Sequence, residues 1–252
     1  MTVSIAMAGK GGTGKTTFCA LTIRELVKRG LGPVLAVDAD ANANLHEALG
    51  VTVDSTLADA ISRIKNDLTP APAGMTKDQY MEMRIFDSLI EGDDFDLLVM
   101  GGPEGAGCYC YANSILRMFM EKLYNNYRFL VADNEAGLEH LSRRTTQNVD
   151  HLFVVSDASA RGVRSATRVR ELTEAIGLSV KHLYLVVSRA GPGAAGQLAG
   201  EIGKTGLELV GVIPDDPLVA EYDLKGIPLI RLPDDAPSAR AVRTILSKAG
   251  VV

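Results

Sequence analysis

Residues Val3–Ala8 (VSIAMA) form a short apolar run that breaks into AGKGGTGKTT, Ala8–Thr17, and resumes as an amphipathic stretch, Thr16–Arg29. From Gly9 the break reads G-x-x-x-x-G-K-[ST], with Gly9, Gly14, Lys15 and Thr16 in the fixed positions. A strand that feeds a glycine loop and then a helix constrains the fold strongly, because it belongs to parallel sheets with helical crossovers. Glycines let backbone N–H groups curl around phosphate oxygens, and the following helix N-terminus adds a partial positive charge. Gly11, Gly12, Thr13, Gly14, Thr16 and Thr17 are therefore candidate nucleotide contacts. Lys15 is expected to reach the β- and γ-phosphates, and Thr16 to place its hydroxyl on Mg²⁺.

The rest of the chain repeats this alternation. Candidate strands are Val34–Val37, Leu97–Met100, Phe129–Ala132, Leu152–Val155, Leu183–Val187 and Leu207–Val212, the last interrupted by Glu208. Continuous apolar runs of this kind suit strands covered on both faces. Helical patterns lie at Ser114–Tyr124, Gly162–Ile176 and Pro237–Lys248, while Asn66–Gln79 reads as a surface loop or insertion. The expected fold is α/β: a P-loop NTPase domain spanning 1–252, with a mostly parallel sheet and helices on both faces.

Composition removes several function classes. The 252 residues carry a net charge of −5, no tryptophan and 5% aromatics, which argues against a nucleic-acid partner. No apolar run approaches the roughly 18 residues of a membrane span, and the apolar start runs into a glycine loop, not a cleavage site. A cytoplasmic protein without a membrane partner is expected. Its three cysteines do not make a disulfide framework.

Two acidic strand ends follow the loop. AVDADANANL (Ala36–Leu45) carries Asp38 and Asp40, and FLVADNEAGLEHL (Phe129–Leu141) carries Asp133. Open α/β sheets bind ligands at the carboxyl ends of strands, and carboxylates there can hold Mg²⁺ or orient an attacking water. Asp38 suits Mg²⁺ or loop structure, and Asp133 ends its strand as a metal-binding aspartate does.

Lys10, second in the loop, gives K-G-G-T-G-K-T. This resembles the deviant P-loop ATPases, the family of MinD, ParA and the nitrogenase iron protein. The resemblance implies that Lys10 reaches the nucleotide of a second subunit and stabilises transition-state charge, and so implies a nucleotide-dependent homodimer. It also implies that Asp40 orients the attacking water, that Gly137 approaches the γ-phosphate, and that VIPDDP (Val212–Pro217) forms the adenine-side loop with Pro214 and Asp216. After LYLVV (Leu183–Val187) the family often has an asparagine; here Ser188 and Arg189 stand there as candidate base contacts.

Cys108 and Cys110 form a C-x-C pair in GAGCYCYAN, residues 105–113. In extended backbone, residues i and i+2 face one side, so both thiols can face one metal. Two thiolates supply half of a closed tetrahedral site, and a disulfide across one residue is strained. GGPEGAGCYCYAN (Gly101–Asn113) with DNEAGLEHLSR (Asp133–Arg143) resembles the CooC/AcsF-type ATPases, which mature nickel enzymes. The resemblance runs from Val3 through DLKGIPLIRLP (Asp223–Pro233), with Gly102 departing where an arginine is usual. It implies that the pair binds metal at the dimer interface, where two copies make Cys₄ and the ATP state controls dimerisation. Ni²⁺ and Zn²⁺ both suit such thiolates. Cys19 reads as a packed core thiol, and Met81, Met83, Met118 and Met120 as packing before thioether ligands.

The expected function is an ATP-hydrolysing dimeric factor, Mg²⁺-dependent and cycling between ATP and ADP. It would assist nickel insertion into a client, carbon monoxide dehydrogenase or acetyl-CoA synthase. The alternative is an ATP-gated iron–sulfur electron donor resembling the nitrogenase iron protein. A positioning ATPase is a third reading; its mildly basic helix Ser238–Gly250 lacks bulky aromatics and suits packing on the body better than a bilayer.

Overall fold

Strands buried on both faces lose the polar–apolar alternation of half-exposed ones, and that is why this sheet is written in continuous apolar runs. A computed structural model describes residues 2–40, 43–66, 72–101, 123–134 and 148–252. Along it lie β1 (Val3–Ala8), α1 (Lys15–Lys28), β2 (Val34–Ala39), α2 (Leu45–Leu49), α3 (Leu57–Asn66), α4 (Lys77–Phe86), β3 (Leu89–Ile90), β4 (Asp96–Val99) and β5 (Phe129–Asn134). There follow β6 (Asn148–Asp157), α5 (Ala160–Ala175), β7 (Ser179–Ala190), α6 (Ala194–Gln197), α7 (Ala199–Thr205), β8 (Glu208–Pro214), α8 (Pro217–Lys225), a 3₁₀ turn (Leu229–Arg231) and α9 (Pro237–Lys248).

The strands form one eight-stranded sheet in the order β3-β4-β2-β5-β1-β6-β7-β8. Every pairing is parallel except β3 with β4. Successive side chains leave opposite faces. Ile5 and Met7 point into a core filled by Phe18, Leu21 and Ile23 of α1 and Val242, Ile245 and Leu246 of α9. Ala6 and Ala8 point into a second core closed by Leu57 of α3, Ile85 of α4 and Val163 and Ala166 of α5. Helices therefore cover both faces, as the sequence leads one to expect.

The register places the chemistry. Met7 of β1 pairs with Asp133 of β5, which pairs with Asp38 of β2. Both aspartates thus stand at carboxyl strand ends beside the glycine loop, where open α/β sheets bind ligands.

Some boundaries depart from the sequence reading. The strand expected at Leu97–Met100 is Asp96–Val99, and that at Leu207–Val212 is Glu208–Pro214. Asn66–Gln79 is not one loop: Asn66 ends α3, and Lys77–Gln79 open α4. The physical reason is a capping box. Thr76 accepts from the Gln79 backbone N–H while the Gln79 side chain accepts from the Thr76 N–H, satisfying two donors of the first turn. Of the helix expected at Ser114–Tyr124, residues 114–122 lie outside the described residues.

Candidate functional site

The loop between β1 and α1 needs glycine at its first position. Gly9 has φ 141°, and a Cβ there would stand 2.2 Å from the Val155 carbonyl oxygen of β6. Gly14, at φ 88°, turns the chain into α1 and precedes a helix with no side-chain cap and no acidic residue in its first turn. Three other helices carry a side-chain cap, Thr76 at α4, Ser159 at α5 and Asp216 at α8, each accepting from a backbone N–H, whereas α2, α6, α7 and α9 start without one, as α1 does. The N–H groups at the start of α1 are left without a side-chain acceptor, in the arrangement that binds an anion.

The side chains around this helix end match it in charge. Lys15 is buried, and its Nζ donates to the Lys10 carbonyl at 3.3 Å. Thr13 Oγ1 donates to the same carbonyl at 2.8 Å. Lys10 itself is exposed on the loop, with Gly11 and Gly12. Thr16 and Thr17 are half-buried. Thr16 Oγ1 donates to Asp133 Oδ2 at 2.5 Å, and Asp133 Oδ1, also buried, has no hydrogen-bond partner among the described residues. The Asp133 carboxyl is raised from 3.8 to about 7, chiefly by burial and also by the nearby Asp38 carboxylate, against the opposing effects of Thr16 and Lys15. A buried carboxyl whose charged form is disfavoured, with one oxygen unpartnered among the described residues, has the chemistry that a cation would satisfy.

Asp38 behaves differently. It is fully buried, and its oxygens accept from the backbone N–H of Asp40 at 3.2 Å and of Leu45 at 2.9 Å. Burial, the dominant cause, lifts its pKa to about 6. Between Mg²⁺ and loop structure, this geometry favours loop structure. Asp38 ties down the turn that carries Asp40, which is half-buried beside it.

A cavity of about 330 Å³ opens past the start of α1. Its wall includes Gly14, Thr17, Ser188, Arg189, Pro214 and Asp216. The expected adenine-side and base-contact residues thus do meet at one cavity, but three of them, Asp216, Ser188 and Arg189, hydrogen-bond within the protein. Asp216 Oδ1 accepts from Leu218 N, and Oδ2 accepts from Ser238 N at 2.9 Å and Ser238 Oγ at 2.6 Å. Asp216 is therefore the N-cap of α8 and its tie to α9. Ser188, 3% exposed, donates its hydroxyl to the Thr13 carbonyl and stands 3.3 Å from the Ser156 carbonyl. Arg189 donates to the Gly12 carbonyl. Its backbone is left-handed at φ 49°, a conformation that costs a non-glycine residue about 1 kcal/mol or more and persists only where neighbours impose it.

Cys108, Cys110 and Gly137 lie outside the described residues. Cys19 is buried in α1, and burial, with Asp133 and Asp38 nearby, drives its thiol well above the usual range, as for a core cysteine. One residue carried no expectation from sequence. Asn134, next to Asp133, is buried, donates through Nδ2 to the Met7 carbonyl at 3.0 Å, and has no partner for Oδ1 among the described residues. The signal for it was an amide continuing an apolar strand directly past an aspartate.

Residues 4–229 match the CobQ/CobB/MinD/ParA nucleotide binding domain. An uncharacterized ATP-binding protein of Methanocaldococcus jannaschii is 45% identical over 246 residues, covering 97% of each chain. The carbon monoxide dehydrogenase accessory protein CooC of Rhodospirillum rubrum is 27% identical over 236 residues, covering 89% of this chain and 88% of that one. Among solved structures, the septum site-determining protein MinD of Pyrococcus horikoshii, complexed with Mg-ADP, superposes with a TM-score of 0.68 at 24% identity, over 97% of this chain and 94% of that one.

Proposed function

The chain belongs to the CobQ/CobB/MinD/ParA nucleotide-binding family, and from that premise we propose that it is an ATP-hydrolysing, dimer-forming maturation factor for a nickel enzyme. The observation that carries the nucleotide part is the uncapped N-terminus of α1, set between the Gly9–Gly14 loop and the buried Lys15. Its N–H groups and the Lys15 ammonium would take the phosphates of ATP. Mg²⁺ fits beside them: the Thr16 hydroxyl and the unpartnered Asp133 Oδ1 would hold it. Bound there, it would neutralise charge on the β- and γ-phosphates. Thr16 would then turn its hydroxyl from Asp133 to the ion, and Asp133 would give up the proton that burial favours.

Hydrolysis needs a water held in line and a positive charge on the transferring phosphoryl group. Asp40 is the water-orienting candidate, held in place by the Asp38 carboxylate. Lys10, exposed on the loop, supplies the charge to the nucleotide of a second subunit. Gly137, by the family resemblance, senses the γ-phosphate. The nickel part rests on the Cys108–Cys110 pair and on the similarity to CooC, a carbon monoxide dehydrogenase accessory protein. Two pairs across a two-fold axis complete a Cys₄ site for Ni²⁺ or Zn²⁺. The client is carbon monoxide dehydrogenase or acetyl-CoA synthase.

The test combines turnover, oligomeric state and metal content of anaerobically purified protein. Phosphate release with Mg-ATP is expected, and Lys10→Ala is expected to lower it about 10³-fold or more while ADP binding is retained. Unchanged turnover in that variant would remove the lysine from catalysis. Size-exclusion with ATP and Ni²⁺ is expected to show a dimer with metal bound per pair of chains. Cys108→Ser/Cys110→Ser is expected to lose that metal and keep ADP binding. Iron in stoichiometric amount with a broad visible absorption would replace the nickel reading by the electron donor.

A further inference from the structure

A phosphate-binding loop works only if its N–H groups converge on the anion and its carbonyls do not, because carbonyl oxygens repel phosphate. In this chain three successive features of the loop deal with its carbonyls. The Lys10 carbonyl is covered by Thr13 Oγ1 and Lys15 Nζ. The Gly12 carbonyl is held by Arg189, and the Thr13 carbonyl by Ser188. The first belongs to the loop itself, and Lys15 is free to exchange it for phosphate. The other two are held from outside, by the end of β7.

That distinction has a geometric consequence. The peptide unit is planar, with its C=O and N–H antiparallel. Fixing the Gly12 carbonyl toward Arg189 turns the Thr13 N–H the opposite way. Fixing the Thr13 carbonyl toward Ser188 does the same for the Gly14 N–H. Two loop donors are thereby pointed away from β7, with no ligand needed to orient them. The anchor is buried: Ser188 stands on β7, its register partner is Asp157 of β6, and its hydroxyl lies between the Thr13 and Ser156 carbonyls. Its Oγ also sits 3.2 Å from where a Cβ on Gly14 would be, so the hydroxyl packs directly beneath the turn into α1. Arg189 keeps its left-handed backbone while its guanidinium reaches the loop.

We propose that Ser188 and Arg189 are positioning residues that pre-orient the phosphate loop through the Thr13 and Gly12 carbonyls, and that they are not readers of the base. The inference rests on the nucleotide-binding reading above. It predicts that removing either residue weakens binding of any polyphosphate, with or without a base.

Inorganic tripolyphosphate is the probe that separates the possibilities. Binding of Mg-ADP and of Mg-tripolyphosphate is measured by calorimetry for the native chain, Ser188→Ala, Arg189→Ala and Arg189→Lys. Melting curves of the ligand-free proteins show that each variant is folded, and Ser188→Cys serves if Ser188→Ala does not fold. Native binding of Mg-ADP is the control for the nucleotide reading, which fails if there is none. Given that binding, Ser188→Ala and Arg189→Ala are expected to weaken both ligands by similar factors, about tenfold each. The Thr13 and Gly14 amide resonances of the ligand-free variants are expected to move, and their hydrogen exchange to quicken. A loss confined to Mg-ADP, with tripolyphosphate unaffected, would make Ser188 a base contact and overturn the inference. So would native affinities in both alanine variants. Full recovery in Arg189→Lys, with an effect that fades in salt, would reduce Arg189 to a point charge and overturn its share.

Discussion

At the scale of single residues, the site holds two carboxylates in a state they would not choose in water. Asp133 and Asp38 are buried side by side on neighbouring strands, with pKa values raised to about 7 and about 6. An acid whose folded value lies above its unfolded one binds more protons when folded, so stability falls as pH rises between the two. For Asp133 that window runs from 3.8 to about 7, and Asp38 contributes in the same direction over its lower part. Ligand-free protein should therefore lose stability across this range on account of the pair. Asp133→Asn removes the charge and keeps the shape. It should raise ligand-free stability at pH 8 by on the order of 2 kcal/mol, since relaxation of a buried site recovers part of the full linkage value. At pH 4, where the aspartate is already protonated in the folded chain, the gain should vanish. Urea unfolding at the two pH values checks this, and Mg²⁺-dependent nucleotide binding should be lost in the same variant. In the proposed Mg²⁺ site such a carboxylate would trade stability for metal affinity.

At the scale of elements, α1 is the piece that must not move if its first turn is the anion site proposed above. Its far end is clasped. Arg24, 1% exposed, donates from Nε at 3.0 Å and from Nη2 to the Leu232 carbonyl, and also reaches Asp234. Glu25 accepts from Arg29 in the same helix and from Arg243 of α9. Removing a buried, fully paired cation leaves its acceptors stranded, so Arg24→Ala should cost about 3 kcal/mol in chemical unfolding. Asp234→Ala should cost much less and be salt-sensitive, since Asp234 is solvent-exposed and Arg24 keeps the Leu232 carbonyl. None of this clasp shows in the sequence, because its two halves lie 208 residues apart. The strands did show, since burial on both faces writes them as apolar runs. The helices α5 and α9 showed through their periodicity. Three kinds of element were hidden. β3 is two residues long and antiparallel at the edge. α2 is only five residues. α6 and α7 lie in the glycine-rich stretch Gly191–Gly206, where propensity speaks against helix and packing overrides it. The start of α4 was legible in principle, as the T-x-x-Q of Thr76–Gln79, but sits beside prolines that read as loop.

At the scale of the whole molecule, β1 stands inside the sheet between β5 and β6, so the loop it feeds is framed by strand ends from both sides. This explains how much of the site the sequence disclosed. Gly9, Lys15 and Thr16 fall within one eight-residue stretch and show as a motif through their spacing. The place of Asp133 at a strand end beside the loop was legible because its apolar strand stands out in the sequence. The hydrogen bonds of Ser188 and Asp216 were not, because each is made to a partner brought in by the fold: Thr13, 175 residues away, and Ser238, 22 away. The same framing makes ligand binding a property of the whole sheet. A ligand bound at the end of β1 would meet α1 and the flanking strand ends, and would reach the end of β7 through the loop, contacts that unfolding would remove. Mg-ADP at a hundred times its dissociation constant should add about 2.7 kcal/mol of stability. For a chain of this size that corresponds to a rise of about 5–10 °C in melting temperature. Calorimetric melting should show the rise as a single shifted transition, because the two cores share one sheet and must lose it together. A low-temperature transition left unmoved by Mg-ADP would mean that one face melts without the other. Lys15→Ala should abolish the shift while leaving the ligand-free melting temperature within a few degrees, since among the described residues the Lys15 ammonium has a single hydrogen-bond partner, the Lys10 carbonyl at 3.3 Å.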